Sequence, residues 1–98
     1  MARSVHISQE AIYDLESIWD FISQDNPNAA DSFIDELYKK CCSIAKLDGI
    51  GRSRDDLDTD LLSIPHKRYV IFFVRDETSV QIVRILNAAL DVENQFDT

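Results

Sequence analysis

The sequence predicts one α+β domain in which an antiparallel β-sheet carries an N-terminal helical hairpin on one face. Three observations predict it. Apolar residues recur at helical spacing in the first half of the chain, two apolar runs of strand length follow in the second half, and a short alternating segment precedes the helices. The expected order is β-α-α-β-β-β, and 98 residues form a single domain, residues 1–98, with one core. The sheet face without helices is expected to be free for function.

The first strand and the first helix are predicted between residues 3 and 25. Arg3–Ile7 alternates enough for a short strand, and Ser8 is a favoured N-cap residue that precedes an acidic first turn. The helix is expected to end near Gln24 or Asp25. Its apolar stripe consists of Ala11, Leu15, Ile18 and Ile22, widened by Ile12 and Trp19.

A second helix is predicted to start directly after the first. Asn26 is a good N-cap and Pro27 suits the first helical position, where its missing N–H costs nothing. So short a link predicts an antiparallel helical hairpin. Gly49 is expected to be a left-handed C-cap. The apolar stripe consists of Ala30, Phe33, Leu37, Cys41 and Ile44, with Ile34 and Leu47 at its margins.

The remaining strands are predicted in the second half of the chain. Residues 51–60 are polar and are expected to form a loop, after which a strand begins at Leu61 and is stopped or bent by Pro65. Residues 68–74 and 80–86 are apolar on both faces and predict central strands joined by a tight turn. Residues 88–96 are expected to form a short helix or an ordered tail.

Composition narrows the function. The chain has 18 acidic and 10 basic residues, a net charge of −8, and therefore lacks the basic footprint of a sequence-specific nucleic-acid binder. Its longest apolar run, Tyr69–Val74, is too short to cross a bilayer, and its start lacks a signal core, so we expect a cytoplasmic protein without membrane contact. The adjacent Cys41 and Cys42 cannot build a four-ligand zinc site, and no metal or cofactor is expected.

An ordered set of short segments between about Val5 and Asp91 resembles the ParE branch of the RelE/ParE toxin superfamily. The resemblance implies the toxin of a bacterial or plasmid type II toxin–antitoxin operon, held in a hetero-oligomer by a small, DNA-binding, ParD-like antitoxin. It also implies that the ParE branch poisons DNA gyrase, whereas the RelE branch cuts messenger RNA on the ribosome. The segments are Asp14-Leu15 with Ile18 and Ile22, Asn26-Pro27 with Ala29-Ala30 and Phe33, Gly51–Arg54 with Asp56-Leu57, Tyr69–Phe73, and Val80 and Ile82 with Arg84–Leu86 and Asp91.

The end of the last strand favours protein binding over RNA cleavage. A RelE-like nuclease needs convergent cations and a Tyr or His near that end to move protons. Here Arg84 is followed by residues 86–91, which contain no Tyr, His, Lys or Arg, and Asn87 and Leu90 occupy positions where the family commonly has His and Arg. No catalytic residue is therefore assigned. Three classes stay open: a gyrase-directed toxin, a RelE-like endoribonuclease, and an inactive toxin-fold protein that only binds its antitoxin.

The candidate target-binding residues are mainly the cations of the second half of the chain. Each has a simpler structural interpretation: Arg84 can pair with an acid and fix its strand, the loop arginines can pair with neighbouring aspartates, and the segment from His66 to Arg68 can be a solvated turn. The candidates are Arg84, Arg52, Arg54, Arg68 and Asn87.

Antitoxin contact is expected on the helical hairpin or along a sheet edge. The candidates are Tyr13, Trp19, Ile34 and Tyr38, because aromatic and aliphatic anchors dominate such interfaces. Since the toxin is itself acidic, the interface is expected to rest on apolar burial with only local Arg or Lys contacts. Without the antitoxin, the exposed apolar strip should promote self-association.

Overall fold

A computed structural model describes residues 3–89 and 95–96, and it confirms the α+β architecture with a helical hairpin packed on one face of the sheet. Within these residues, five strands lie in the order β1-β5-β4-β3-β2. In chain order the elements are β1 (Ser4–Ile7), α1 (Gln9–Ser23), α2 (Pro27–Lys46), β2 (Arg52–Ser53), β3 (Leu62–His66), β4 (Tyr69–Arg75) and β5 (Ser79–Asn87).

The helix starts follow the predicted capping chemistry. The Ser8 Oγ accepts a hydrogen bond from the Ala11 N–H at 3.1 Å, and the Asn26 Oδ1 accepts one from the Ala29 N–H at 3.1 Å. The predicted cap at Gly49 is wrong, because α2 ends at Lys46 and its C-cap, Leu47, has an extended backbone. Gly49 does adopt a left-handed φ of 69°, two residues beyond that cap.

The sheet is mixed rather than antiparallel, which corrects the prediction for its first strand. β1 pairs in parallel with β5, with Ser4 opposite Ser79 and Ile7 opposite Ile82, while β2–β3, β3–β4 and β4–β5 are antiparallel. A parallel pair needs a long crossover connection, and everything between β1 and β5 supplies it. Neither the strand pattern nor the helical periodicity records which strand β1 joins, so the sequence alone could not decide its direction.

The predicted loop at residues 51–60 contains the short strand β2, which pairs Arg52 with Ser63. Gly51 precedes it with a φ of 101°, and a Cβ there would lie 2.7 Å from the Phe73 Cζ, so this position needs glycine. β3 also runs through Pro65 to His66 instead of stopping. Because β2 covers only the start of β3, no other strand of the described residues pairs with the outer edge of β3 at Pro65, and a residue without an N–H is tolerated there.

A β-bulge in β5 sets which of its side chains reach each face. Phe72 pairs with Arg84 but Phe73 pairs with Ile82, so Val83 is an extra residue. As a result Ile82 and Ile85 both enter the helix-side core, although they are three residues apart. The buried members of that core are Ala11, Ile18, Leu37, Cys41, Ile44, Ala45, Ile71, Phe73, Val80, Ile82 and Ile85.

The sheet face opposite the helices is not entirely free, contrary to expectation. A second cluster is buried there, formed by Leu61, Phe72 and Leu86. Leu57 covers it from the loop before β3, and Phe96 packs edge-on against Phe72 with ring centroids 4.9 Å apart. The apolar pattern of the helices and strands did not predict this cluster, because the residues that cover it belong to a loop and to the end of the chain.

The predicted short helix or tail over residues 88–96 lies largely outside the described residues, as do Leu90 and Asp91. β5 extends one residue further than predicted, to Asn87. Within the described part of the chain, neither helix combines the length and the apolar character needed to cross a bilayer.

Candidate functional site

A concavity lies where the end of α1 meets the β3–β4 turn and the end of β5. One hollow of about 330 Å³ is lined by Phe21, Ile22, Phe33, Lys67, Arg68, Tyr69 and Asn87. A second of about 240 Å³ is lined by residues that include Asp14, Arg84 and Ile85, and it shares Phe21, Tyr69 and Asn87 with the first. We call the two adjoining hollows the seam groove. It gathers three of the predicted target-binding candidates, Arg68, Asn87 and Arg84.

Arg84 is held by an acid on the first helix. Its Nε donates to the Asp14 Oδ2 at 2.8 Å and its second guanidinium nitrogen donates to the Asp14 Oδ1 at 2.9 Å. The Asp14 Oδ2 also accepts the Ile85 N–H at 2.9 Å, at a point where β5 has already extended past β1. The hydrogen bonds from Arg84 to the Asp14 carboxylate raise the pKa of Arg84 above its ordinary value. The structure therefore gives Arg84 the strand-fixing role of the two predicted, and target contact by Arg84 stays a prediction.

Arg68 and Asn87 meet at the mouth of the groove. Arg68 is exposed in the β3–β4 turn, and its backbone carbonyl accepts the Ala88 N–H at 2.8 Å. The Asn87 Oδ1 accepts the Ala89 N–H at 2.8 Å. Both backbone regions are thereby fixed, while the Arg68 guanidinium makes no ion pair with any residue in the ranges 3–89 and 95–96.

The other two target-binding candidates lie away from the groove. Arg54 donates to both carboxylate oxygens of Asp56, at 3.2 and 3.3 Å, which is the local pairing that its acidic loop predicted. Its guanidinium also lies 5.7 Å from the centre of the Phe72 ring, on the sheet face opposite the helices. Arg52 is exposed on the edge strand β2.

The sequence suggested that the turn from His66 to Arg68 could be simply solvated, but two of its side chains are bonded to α2. The Lys67 Nζ lies 3.0 Å from the Glu36 Oε2, and the His66 Nε2 bonds to the same oxygen. These two side-chain hydrogen bonds, with that from His66 the larger cause, hold the pKa of Glu36 below its ordinary value of 4.5. The Lys67 ammonium also faces the Phe33 ring at 5.7 Å. Glu36 on α2 therefore anchors the turn to the hairpin.

Three of the four predicted antitoxin-binding residues, Tyr13, Trp19 and Tyr38, are exposed on the side of the helical hairpin turned away from the sheet, which we call the outer face of the hairpin. Tyr13 and Tyr38 are 58% and 51% exposed, and Trp19 is 37% exposed while its Nε1 donates to the Asp31 Oδ1 at 2.8 Å. Since α1 and α2 are antiparallel, Ile12, about two turns before Trp19, lies level with Tyr38, about two turns after Asp31. The fourth candidate, Ile34, packs partly against the core and offers less surface.

Two residues of the groove were missed by the sequence interpretation. Tyr69 starts β4 and pairs with Asn87, so the sheet brings a phenol to the end of β5 that a search along the chain after Arg84 could not find. Phe21 is 68% exposed, the largest fraction among the large hydrophobic residues of the described chain that stand exposed. Its signal was an aromatic side chain close to the end of an amphipathic helix.

No metal site is formed by the residues that the structure describes, since no three of their His, Cys, Asp or Glu side chains come together suitably.

Burial raises the pKa of the Cys41 thiol to about 12, and Cys42 is partly exposed.

Comparison with known proteins places this geometry in a family. A solved chain from the chromosomal ParDE TA system of P. aeruginosa is similar in fold, with a TM-score of 0.73 and 17% sequence identity over 88% of this chain and 96% of that chain. A search of curated proteins found no match. A family model described as the ParE toxin of the type II toxin-antitoxin system, parDE, matches residues 5–91. The chain therefore belongs to the ParE toxin family of type II toxin–antitoxin systems.

Proposed function

We propose that the chain inhibits DNA gyrase by binding it as a protein, in the cytoplasm, and that a ParD-like antitoxin neutralises it in a hetero-oligomer. Family membership supports the toxin role. The observation that carries the non-enzymatic part is the pairing of Arg84 with Asp14 by two hydrogen bonds. A toxin that stabilises one conformation of its target needs differential binding and no catalytic group of its own.

The Arg84–Asp14 pair argues against RNA cleavage because it occupies the cation on which that chemistry would depend. A RelE-like nuclease needs several convergent guanidinium or ammonium groups to stabilise a developing phosphorane, and with Arg84 and Lys67 paired only Arg68 among the cations of the groove has no acidic partner within the described residues. Arg84 would have to leave Asp14, and its side chain is only 22% exposed. Breaking a shielded pair is costly, because it leaves both charges without partners. We therefore assign no catalytic residue.

One observation favours the runner-up, a RelE-like endoribonuclease. Tyr69 lines the same groove as Arg84, and a phenol can move a proton. Tyr69 nevertheless packs partly into the helix-side core, with its ring centroid 5.6 Å from that of Phe33. It would have to turn out of this packing to reach a phosphate. The variant Tyr69→Phe tests the alternative, since it removes the hydroxyl and keeps the ring.

Neutralisation is proposed on the outer face of the hairpin. Trp19 and Tyr38 offer exposed aromatic surface on adjacent antiparallel helices, which suits an apolar segment laid across them, and Tyr13 adds exposed surface about 120° around α1 from Trp19. Because the chain carries a net charge of −8, this contact should depend on apolar burial rather than on charge. Its dissociation constant should then change little with salt, and weakening by several orders of magnitude in high salt would contradict the proposal.

Expression without the antitoxin separates the three functional classes. A gyrase-directed toxin should induce the DNA-damage response and filamentation while translation continues. Rapid arrest of translation with cut messages would show the nuclease, and Tyr69→Phe should then abolish the cutting. Normal growth at a confirmed level of folded protein would leave antitoxin binding as the surviving role.

A further inference from the structure

We infer that the seam groove is the surface that grips the target, and that it takes a protein loop presenting one apolar side chain beside one carboxylate. This inference rests on the proposed protein-directed function and adds the surface and the chemistry of its partner. It is carried by the shape of the groove, by its charge, and by its separation from the outer face of the hairpin.

The size and lining of the groove suit a single apolar side chain. Its larger hollow, about 330 Å³, lies at the small end of the range for ligand pockets. Phe21, Ile22 and Phe33 form its apolar surface, and Phe21 is 68% exposed. An aromatic ring this exposed on a small domain is typical of a binding anchor, because covering it recovers the free energy of apolar burial.

Among the described residues, the charges of the groove are nearly balanced, and one cation has no acidic partner. Lys67 is paired with Glu36, and Arg84 is paired with Asp14. Arg68 alone among the cations of the groove has no acidic partner within the described residues. The Arg68 guanidinium, unpaired within the part of the chain that the structure describes, matches one carboxylate on the partner and can bind it with two hydrogen bonds because it is planar. A nucleic acid is disfavoured, since its affinity comes from many phosphate contacts at once and the chain is acidic overall.

The groove and the outer face of the hairpin are different surfaces of α1. Successive helical residues are about 100° apart, so Phe21 lies roughly 200° around the helix from Trp19, while Tyr13 lies between the two, about 80° from Phe21. Phe21 accordingly lines the groove with Tyr69 and Asn87, whereas Trp19 bonds to Asp31 on α2. One partner can therefore hold the hairpin while another contacts the groove. We assign the groove to the target because the proposed antitoxin contact already uses the exposed aromatic residues on the outer face of the hairpin.

The test compares groove variants with matched variants elsewhere. Phe21→Ala removes the exposed anchor, and Leu47→Ala removes another exposed apolar side chain, 49% exposed at the end of α2, as its control. Arg68→Glu reverses the unpaired cation, and Lys39→Glu reverses an exposed cation on α2 as its control. Arg68→Lys keeps the charge. Each variant is measured for gyrase inhibition, for growth arrest without antitoxin, and for antitoxin affinity, which also reports that it is folded.

Phe21→Ala and Arg68→Glu should each weaken gyrase inhibition and growth arrest at least about tenfold, while antitoxin affinity stays within about twofold of the wild type. Arg68→Lys keeps the charge but loses the two-hydrogen-bond geometry, so it should weaken inhibition less than Arg68→Glu does, and both controls should behave as the wild type. Groove variants that inhibit fully, or that lose antitoxin affinity instead, would overturn the inference and leave the proposed function intact. If the wild type arrests growth without inhibiting gyrase, the proposed target is wrong. The effect of the groove variants on growth arrest then decides alone whether the groove binds the target. A wild type that neither inhibits gyrase nor arrests growth overturns both the proposed function and the inference about the groove.

Discussion

At the scale of single residues, Asp14 does more than its place on a predominantly polar helix face predicts. It binds the Arg84 guanidinium through both oxygens and also accepts the Ile85 N–H. The last strand would otherwise leave that N–H without a partner beyond β1. Asp14 thus ties α1 to β5 at the bulge, and it keeps Arg84 from serving as a free cation in the groove.

Replacing Asp14 should show both roles in stability. Asp14→Ala leaves a shielded guanidinium and a backbone N–H unpaired, and we expect it to lower the free energy of unfolding by about 2–3 kcal/mol. Asp14→Asn keeps an oxygen for the Ile85 N–H and should cost only about 1 kcal/mol. Urea denaturation measures both values. Equal losses for the two variants would show that the bond to Ile85 contributes nothing.

The two cysteines should differ sharply in reactivity, although they are neighbours. Burial raises the pKa of Cys41 to about 12, so almost none of it is thiolate near neutral pH, whereas Cys42 is partly exposed. Iodoacetamide at pH about 8 should modify Cys42 and spare Cys41 until urea unfolds the chain. Peptide mapping by mass spectrometry identifies the site. Similar rates at both thiols in the folded protein would contradict this burial.

At the scale of elements, the sequence revealed the helix starts because capping is local chemistry. Ser8 and Asn26 bond to N–H groups only three residues away, so their residue types and spacing suffice to find them. The end of α2 was missed because an extended Leu47 terminates it without a glycine. β2 was missed because two residues carry no periodic pattern, and their partners lie on β3.

Ser8 should contribute more to stability than Asn26, although both cap a helix. Its Oγ accepts the Ala11 N–H and also donates to the Val83 carbonyl at 2.8 Å, which joins α1 to the extra residue of the bulge. We expect Ser8→Ala to cost about 2 kcal/mol, from the cap and the added bond, against about 1 kcal/mol for Asn26→Ala. Chemical denaturation of both variants measures the two losses. The opposite ranking would show that the bond from Ser8 to the Val83 carbonyl adds no stability.

The anchor between α2 and the β3–β4 turn should depend on pH. Because the folded pKa of Glu36 lies below its ordinary value of 4.5, its ionised form adds stability that is fully present above that pH. This contribution is lost as the pH falls below 4.5 and through the lowered pKa. Glu36→Gln should therefore be less stable than the wild type at pH about 7 and equal to it once both carry a neutral side chain. Thermal unfolding across pH tests this, and a pH-independent difference would contradict it.

At the scale of the whole molecule, the arrangement of the strands was the part that sequence could not supply. The apolar runs of β4 and β5 predicted central strands, and both lie in the middle of the sheet. The parallel β1 and the pairing of Tyr69 with Asn87 depend on contacts between distant segments. The candidate site reflects the same division. Arg68, Asn87 and Arg84 were found by residue type, whereas their gathering around Phe21 and Tyr69 needed the fold.

The molecule as a whole combines a strongly acidic composition with local surfaces of different chemistry. Its exposed aromatic residues divide between the outer face of the hairpin and the seam groove. Within the described residues, five of its ten Lys and Arg side chains pair with acids of the same chain, among them Arg3 with Asp48, Lys39 with Asp35 and Arg54 with Asp56. Such a surface suits recognition of proteins by apolar contact with a few directed charges, rather than contact with a polyanion.

The most direct test adds the purified chain, free of antitoxin, to gyrase with supercoiled DNA and, in parallel, to ribosomes translating a defined message. A toxin that acts by gripping its target should trap cleaved DNA–gyrase complexes in proportion to its concentration and leave the message whole. Cleavage of the message by the wild type, together with its loss in Tyr69→Phe, would contradict the account, because it would show that the groove performs proton-transfer chemistry of its own.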